Sequence, residues 1–589
     1  MEKILLSGDE AVARGAWEAG CLVAAAYPGT PSTEILETLA GYPEINSRWS
    51  ANEKVALEVA GGAALGGVRA LAAMKHVGLN VAADPLLTLA YTGVRGGLVV
   101  VSADDPGCHS SQNEQDNRHY AELAKLPMLE PADSQECLDF TRAAFDLSER
   151  FDAPVLLRLT TRVCHSKSLV APGARPKPPI QAYLRDIKKY AMIPAFARPR
   201  HAAVEAKLRQ LADFNNDSEF NRIEWDEPKK IGVITSGAAY QQAREAFGDT
   251  VSYLKLGLTY PLPGRLLATF ARAVDRLYII EEGDPYLEKA VRALGFDCLG
   301  KELIPLLGEL DAALLRRAFR PPSPARPLTS LIQPPPRPPV LCAGCPHRGI
   351  LHILGQKKKD LAVFGDIGCY SLGVQPPLEA LDALICMGAG FSGAIGLALA
   401  LKAAGDQRKV VGLLGDSTFY HSGLTGLVEA VHSQADLCLC ILDNSTTAMT
   451  GHQANPGTAL DLMGRPAPAL DMAAVVRGLG VPADRLSLVD PLDRAAVTEA
   501  LERSLAAGGL SVIIARRPCV LLKEMRGAFK YRGRVAPDKC QKCRLCLKVG
   551  CLALSFRDGR ASIDPTACLG CGYCRSVCGF EAIEMEEAQ

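Results

Sequence analysis

The run KVVGLLGDSTFYHSG, residues 409–423, decides the fold class of this chain. Its first part, KVVGLL, has the length and apolar composition of a buried parallel strand, and GDS follows at 415–417. The next buried run, LCLCILDN at 437–444, also ends in polar residues. Because parallel strands bring their carboxyl ends to one edge of a sheet, where open α/β folds bind ligands, the two polar tips predict a ligand site there.

The residue types at these tips suit magnesium and a diphosphate. Asp416 and Asn444 offer the oxygen ligands that Mg2+ prefers, and Gly415 allows a close approach to the backbone. An ordinary turn before an N-capped helix is the alternative, since Asp and Ser are common there. The second tip, DNSTTAMTGHQ at 443–453, favours the first interpretation, because GDS followed by this run is similar to the two-part thiamine-diphosphate motif. Ser417 replaces the usual last glycine of that motif.

Composition excludes several classes of function. Lys plus Arg and Asp plus Glu both number 65, which gives no general attraction to nucleic acid or to an anionic membrane. No apolar run reaches the ~20 residues of a membrane helix, and MEKILLSGDEAVARG meets acid and glycine too early for a secretory signal. We therefore expect a cytoplasmic protein.

Apolar runs that alternate with Gly- and Ala-rich helical patterns predict a multidomain α/β chain. The predicted segments are an α/β domain at 1–165, a connector with some helix at 166–228, a second α/β domain at 229–320, a Pro-rich linker at 321–340, a third α/β domain at 341–525 and a cysteine-rich domain at 530–589.

Eight of the twenty cysteines lie near the C-terminus in two runs, C-x2-C-x2-C-x4-C and C-x2-C-x2-C-x3-C. In two-cluster ferredoxins each such run lends its last cysteine to the other [4Fe-4S] cluster. The predicted ligand sets are Cys540, Cys543, Cys546 and Cys578 for cluster 1, and Cys568, Cys571, Cys574 and Cys551 for cluster 2. Paired zinc knuckles are the alternative, but zinc typically uses two separated pairs of ligands. Leu552 and Gly579 replace the proline that usually follows each run.

Several segments together resemble the 2-oxoacid:ferredoxin oxidoreductases, and within that family the branch that oxidises indolepyruvate. They are AYPGTPSTEI, NEKVALEVA, MKHVGLNVAADP, SSQNEQDNR, CAGCPHRG, DIGCYSLG and DNSTTAMTGHQ, and they span nearly the whole chain. The resemblance implies two thiamine-diphosphate-binding parallel-sheet domains, a transketolase C-terminal-like domain at 229–320 and a C-terminal two-cluster ferredoxin domain.

The same resemblance assigns roles to individual residues. Glu53 matches the acid that faces the cofactor's aminopyrimidine, although a Glu in the first turn of a helix is more often only a dipole partner. The other matches are Thr30 near substrate and cofactor, a catalytic-site position at His347, cofactor contacts at Gly415, Ser417, Met449 and Thr450, and magnesium ligands at Asp416, Asn444 and the Thr446 carbonyl. His109 and Ser110 are candidates for binding the substrate carboxylate, with an ordinary Asn- and Asp-rich loop as the alternative.

A third, proximal cluster is a hypothesis that rests on larger relatives. Their proximal cluster is held by a C-x2-C pair, a third cysteine about 25 residues on and a distant fourth. Cys342, Cys345, Cys369 and Cys519 match that pattern. The alternative is a C-x2-C turn that contacts the cofactor, with the other two cysteines as buried thiols.

The resemblance implies oxidative decarboxylation of aryl pyruvates (indolepyruvate, phenylpyruvate and 4-hydroxyphenylpyruvate) with coenzyme A, during aromatic amino acid catabolism. Electrons would pass to ferredoxin, and a beta subunit would complete an (αβ)2 assembly. Two other functions stay open: a non-oxidative thiamine-dependent decarboxylase, and an electron-transfer subunit without a working thiamine site. Another 2-oxoacid as substrate is also open.

Overall fold

The computed structural model describes residues 3–319, 338–525 and 527–587. Most of the predicted Pro-rich linker, residues 321–337, lies outside the described residues. The chain forms two compact units, Met1–Thr329 and Ser330–Gln589.

The first unit contains two mostly parallel sheets, a separate antiparallel pair of strands (the first with the eighth) and the helices between the strands. Its strands are Ile4–Ser7 (β1), Val23–Ala26 (β2), Asn46–Trp49 (β3), Ala70–Lys75 (β4), Leu98–Asp104 (β5), Met128–Leu129 (β6), Val155–Thr160 (β7), Lys167–Val170 (β8), Arg222–Glu224 (β9), Ile231–Ser236 (β10), Ser252–Leu256 (β11), Leu258–Tyr260 (β12) and Arg276–Ile280 (β13). Its helices are Gly8–Glu18 (α1), Thr33–Leu39 (α2), Glu53–Leu65 (α3), His76–Val81 (α4), Ala83–Thr92 (α5), Arg118–Ala124 (α6), Ser134–Phe151 (α7), Thr161–His165 (α8), Ile187–Tyr190 (α9), Pro194–Asn215 (α10), Gly237–Phe247 (α11), Gly264–Ala273 (α12), Tyr286–Ala293 (α13) and Ala312–Ala318 (α14).

A seven-stranded sheet in the order β12-β6-β7-β5-β4-β2-β3 forms the centre of this unit. All neighbours in it are parallel except β12, which pairs antiparallel with β6. The central strands β4 and β5 are buried along their whole length, as expected for apolar runs covered by helices on both faces. Their carboxyl ends therefore present residues 75 and 104–105 at one edge of the sheet.

A four-stranded sheet, β13-β10-β11-β9, follows in the same unit. The predicted connector at 166–228 is largely ordered: it contains the 22-residue helix α10 and strand β9, which pairs antiparallel with β11. Proline at the start of α10 suits its first turn, where no backbone N–H is needed.

The second unit holds a five-stranded sheet in the order β14-β15-β16-β18-β17, with all neighbours parallel. Its strands are Leu361–Phe364 (β14), Lys409–Gly415 (β15), Cys438–Asp443 (β16), Leu486–Val489 (β17) and Ser511–Arg516 (β18), followed by Tyr531–Val535 (β19), Leu554–Arg557 (β20), Arg560–Ile563 (β21) and Ile583–Glu587 (β22). Its helices are His347–Gln356 (α15), Ala389–Ala404 (α16), Asp416–Thr418 (α17), Leu424–His432 (α18), Met472–Gly478 (α19), Arg494–Ala506 (α20) and Tyr573–Val577 (α21).

Glycine allows α16 to lie directly on β15. A side chain at Gly412 would place its Cβ 2.5 Å from the carbonyl oxygen of Gly390. The helix and the strand can lie this close only because glycine has no Cβ. The last segment of the unit is small and contains two antiparallel pairs of strands, β19–β22 and β20–β21. In sequence, α21 lies between β21 and β22. Among the described residues, no helix combines the length and apolarity needed to cross a membrane.

Candidate functional site

The two polar tips predicted from the sequence lie side by side. Strands β15 and β16 are parallel neighbours, and Gly415 pairs with Leu442. Asp416 and Asn444 follow just beyond these strands, and both are buried. A short π-helical turn, Phe419–Gly423, continues from the first tip, and such turns are frequent at functional sites.

Three oxygen atoms converge between the tips. The side-chain oxygen of Asn444 lies 2.7 Å from the carbonyl oxygen of Thr446 and 3.3 Å from Oδ1 of Asp416. With the amide in this orientation three acceptors face one point, as the oxygen ligands of a divalent cation do. In the rotated orientation the amide nitrogen would donate to the other two oxygens. The residues present therefore fit magnesium.

The second oxygen of Asp416 is already held by the protein. Oδ2 accepts hydrogen bonds from the backbone N–H of Thr446 at 3.1 Å and from the side chain of Asn455 at 3.0 Å. Burial, followed by the nearby negative charge of Asp443, raises the pKa of Asp416 to about 7. A bound cation would favour the ionised carboxylate.

His347 orients the asparagine. Its Nε2 lies 3.3 Å from Nδ2 of Asn444, and burial lowers its pKa to about 4. When the amide oxygen faces a cation together with Asp416 and Thr446, the amide nitrogen faces Nε2, which must then be the unprotonated acceptor of a neutral imidazole. Without a cation the rotated amide can accept from a protonated Nε2 instead. The predicted position of His347 is thus next to the oxygen cluster, in contact with one of its members.

The remaining predicted cofactor residues of this unit belong to the two tip segments themselves. Ser417 accepts a hydrogen bond from Thr447 at 2.8 Å. Thr450 donates to the side chain of Gln453 at 2.6 Å, and Met449 is half exposed, at 48%.

Sequence reasoning missed several residues that shape this site. The hydroxyl of Tyr370 accepts the backbone N–H of Gly415 at 2.8 Å and donates to the carbonyl of Ile367 at 3.0 Å, so it fixes the start of the loop. Asp366 is fully buried and accepts the backbone N–H of Gly390 at 2.8 Å. The run AVFGDIG, a buried strand followed by Gly-Asp, repeats the pattern of the first tip and was a usable signal for Asp366. Asn455 had no such signal.

Glu53 lies in the first unit, at the first position of α3. It is 5% exposed, and the preceding Asn52 caps the helix by accepting the N–H of Val55 at 2.9 Å. Gly78 in α4 packs against its carboxylate, because a Cβ there would be 2.6 Å from Oε1 of Glu53. The glycine therefore makes room for this acid.

Thr30 and Ser110 come together in the same unit, at the carboxyl edge of the seven-stranded sheet. Ser110 Oγ lies 3.4 Å from the carbonyl oxygen of Thr30, and Lys75, the last residue of β4, donates to both oxygens of Ser110. His109 points elsewhere: its Nε2 lies 3.5 Å from Glu309, and its side chain is 54% exposed.

The C-terminal cysteines group as the two runs predict. Cys540, Cys543, Cys546 and Cys578 line one cavity, and Cys551, Cys568, Cys571 and Cys574 line another. Burial and the nearby thiols of Cys578, Cys543 and Cys540 raise the pKa of Cys546. The pKa of Cys574 is raised to about 12, mainly by burial and then by the nearby thiols of Cys571, Cys551 and Cys568.

The other four cysteines of interest also lie near one another. The pKa of Cys369 is raised to about 11, mainly by burial and then by the nearby thiols of Cys519 and Cys342. The pKa of Cys345 is raised to about 12, mainly by burial, with Cys369 and Cys342 also raising it. Cys345 also lines the cavity of the second C-terminal set. Among the described cysteines, no three sulfur atoms lie within 4.8 Å of one another.

Three segments of the chain match known family models. Residues 14–235 match the family model described as pyruvate flavodoxin/ferredoxin oxidoreductase, thiamine diP-binding. Residues 366–515 match the C-terminal TPP-binding domain of thiamine pyrophosphate enzymes, and 561–584 match the 4Fe-4S binding domain. These matches confirm the predicted α/β fold class with two thiamine-type domains and a ferredoxin-type domain.

Relatives match over almost the full length. Indolepyruvate oxidoreductase subunit IorA of Methanothermobacter thermautotrophicus is 41% identical, over 99% of this chain and 98% of its own. The protein of the same name from Archaeoglobus fulgidus is 40% identical, over 99% and 97%. A solved structure, 2-oxoglutarate:ferredoxin oxidoreductase from Magnetococcus marinus, has a TM-score of 0.46 and 19% identity, and covers 54% of this chain and 64% of that one.

Proposed function

The chain belongs to the family of the indolepyruvate oxidoreductase subunit IorA, and from this premise we propose that it oxidatively decarboxylates aryl pyruvates. In the proposed reaction a 2-oxoacid anion and the thiol of coenzyme A give an acyl thioester, CO2, one proton and two electrons. The bond between the 2-oxo carbon and the carboxylate breaks, and a carbon–sulfur bond forms. Ferredoxin accepts the electrons one at a time. Indolepyruvate, phenylpyruvate and 4-hydroxyphenylpyruvate are the proposed substrates.

The observation that carries the proposal is the oxygen cluster of Asp416, Asn444 and Thr446. It offers a carboxylate, an amide and a backbone carbonyl to one cation, which suits Mg2+ that keeps further sites for phosphate oxygens. Gly415 and Ser417 begin the loop at which a diphosphate would bind.

Thiamine diphosphate, when bound, supplies a carbon nucleophile and an electron sink for loss of CO2. Glu53 is the proposed partner of its aminopyrimidine ring, where a carboxylate can hold or move a proton. The tight packing of Gly78 against Glu53 fixes the position of that carboxylate.

The two C-terminal cysteine sets are proposed to hold [4Fe-4S] clusters. Each set lines its own cavity. Three closely spaced cysteines with a remote fourth suit a cubane, whereas zinc typically uses two separated pairs of ligands. Backbone N–H groups also point at sulfur: Gly533 donates to Cys568 and Ala582 donates to Cys578, both at 3.4 Å.

A third cluster on Cys342, Cys345, Cys369 and Cys519 extends the proposal towards the thiamine loop. Cys345 and the second C-terminal set share one cavity, and Arg348 joins the two segments by donating to the carbonyls of Cys342 and Gly550. Asp416 is among the charges that act on Cys369 and Cys519. Electrons would therefore pass from the loop to the third set, then to the second set and the first.

The proposed partners are a beta subunit, in an (αβ)2 assembly, and an external ferredoxin. The relatives are named as subunits, which supports a partner chain. We further propose a cytoplasmic location and a role in aromatic amino acid catabolism.

Product analysis tests the proposal against its alternatives. The purified complex, loaded with thiamine diphosphate and Mg2+, is incubated without oxygen with indolepyruvate, coenzyme A and oxidised ferredoxin. We expect indoleacetyl-CoA and two reduced ferredoxins for each CO2. Indoleacetaldehyde without reduced ferredoxin would establish a non-oxidative decarboxylase, and absence of thiamine binding would leave an electron-transfer subunit.

A further inference from the structure

Lys75 is a buried lysine that pairs with no carboxylate within 4.0 Å in the described part of the chain. It is 8% exposed, and its ammonium nitrogen donates to the carbonyl of Ser110 at 2.7 Å and to its hydroxyl at 3.1 Å. Among the described residues it forms no ion pair within 4.0 Å. Lysines are rarely buried unless they are paired. Lys255 in the same unit follows that rule, since it is fully buried and lies 2.5 Å from Glu136.

The nearest acid, Asp105, is satisfied by other donors. Its carboxylate accepts the backbone N–H of Ser110 at 2.8 Å and the hydroxyls of Ser111 and Thr161 at 2.5 and 2.8 Å. Asp105 still raises the pKa of Lys75, but burial is the larger effect and lowers it to about 8. The side chain is thus mostly charged at neutral pH, and one of its three N–H groups has no acceptor among the described residues.

The surroundings place this charge at a ligand-binding edge. Lys75 ends β4, at the carboxyl edge of the seven-stranded sheet, where open α/β folds bind ligands. The loop of Thr30 packs against its stem, because a Cβ on Gly29 would lie 3.0 Å from Cβ of Lys75. Gly78, three residues further on, touches Glu53.

We propose that Lys75 binds the carboxylate of the 2-oxoacid and selects anionic substrates. This rests on the proposed function. The carboxylate supplies the missing acceptor, and Thr30 and Ser110 lie beside Lys75. Because that carboxylate loses its charge as CO2 leaves, the interaction stabilises bound substrate more than the transition state. Loss of Lys75 should therefore raise KM more than it lowers kcat.

The test measures binding of two unreactive probes to the complex loaded with thiamine diphosphate and Mg2+. The probes are 3-phenylpropionate, which carries the carboxylate, and 3-phenylpropionamide, which does not. For Lys75→Met we expect 3-phenylpropionate to bind about 10- to 100-fold more weakly, the range for a charged hydrogen bond, with unchanged binding of the amide. Lys75→Arg should recover part of the loss. KM for phenylpyruvate should rise with the dissociation constant of 3-phenylpropionate.

Lys207→Met is the matched control. Burial also lowers the pKa of Lys207 to about 8, but Lys207 donates to the backbone carbonyl of Asp152 and lies near its side chain. This variant should bind both probes like the parent.

Three results would overturn the proposal: unchanged binding of 3-phenylpropionate to Lys75→Met, equal weakening of both probes, or no binding of 3-phenylpropionate to the parent. Should Lys75→Met not fold, Lys75→Gln and Lys75→Arg give the same comparison. The binding test needs no turnover, so a failure of the proposed reaction is seen separately, as an absent product in the parent complex.

Discussion

Replacing His347 by phenylalanine should weaken magnesium binding in the presence of thiamine diphosphate. Phenylalanine keeps the ring that packs edge-on against Tyr370, with centroids 5.7 Å apart, but it has no acceptor for Nδ2 of Asn444. The Asn444 amide then gains hydrogen bonds by rotating, because its nitrogen would donate to the Thr446 carbonyl at 2.7 Å and to Asp416 at 3.3 Å. In that orientation it offers hydrogens where the cation needs an oxygen.

The size of the effect follows from these bonds. The metal-bound orientation loses one hydrogen bond, worth about 0.5–1.5 kcal/mol. The rotated amide is open to the parent as well, through the other imidazole tautomer, so only the loss in the metal-bound orientation is counted. It corresponds to roughly 2- to 13-fold, near the lower end of the range of about 10- to 100-fold for residues that orient metal ligands.

Manganese provides the assay, because its free aqueous ion is counted directly by electron paramagnetic resonance. His352→Phe is the matched control: it lies on the same helix, and burial likewise lowers its pKa to about 4, but it contacts Tyr573 at 3.1 Å. Equal manganese affinity in His347→Phe and the parent would refute the role of His347, and an equal loss in both variants would point to general destabilisation.

The remaining predictions concern the acid and the clusters. Gly78→Ala places a methyl group 2.6 Å from Oε1 of Glu53 and should lower kcat by about 10- to 100-fold, because the carboxylate is displaced. Gly62→Ala is the control: its Cβ meets nothing within 4 Å, so kcat should equal that of the parent. Equal kcat in the two variants would contradict the proposed role of Glu53. Cys578→Ala should remove about four irons per chain, as expected for one cubane, together with the electron paramagnetic resonance signal of a single cluster; undiminished iron would argue against the first ligand set. The parent chain should contain about twelve irons and Cys369→Ala about eight, as expected for three cubanes and for two; about eight irons in the parent would contradict the third cluster.

The fold class was predictable because the signals were local and repeated. Buried apolar runs such as KVVGLL and LCLCILDN end in polar residues, and the structure makes them parallel neighbours, β15 and β16. The grouping of the C-terminal cysteines followed from spacing, because three closely spaced thiols cannot complete a cubane without a remote fourth.

Residues whose partners are distant in sequence were harder to predict. Tyr370 supports Gly415, and Asn455 holds Asp416, through contacts that no spacing rule encodes. Lys75 ends an otherwise apolar strand, ALAAMK, and nothing in that run indicates that its ammonium group lacks a carboxylate partner. The connector at 166–228 contains a long helix whose Pro199 and weak amphipathic pattern obscured its extent.

The central claim is that oxidation of a 2-oxoacid delivers electrons to clusters held by this chain. The most direct measurement mixes the oxidised, thiamine- and magnesium-loaded complex with indolepyruvate in the absence of oxygen and of ferredoxin, and follows the visible absorbance of the iron–sulfur clusters. We predict rapid bleaching in the parent and none in Glu53→Gln, while dithionite bleaches both. Release of CO2 from indolepyruvate with clusters that stay oxidised would contradict the account.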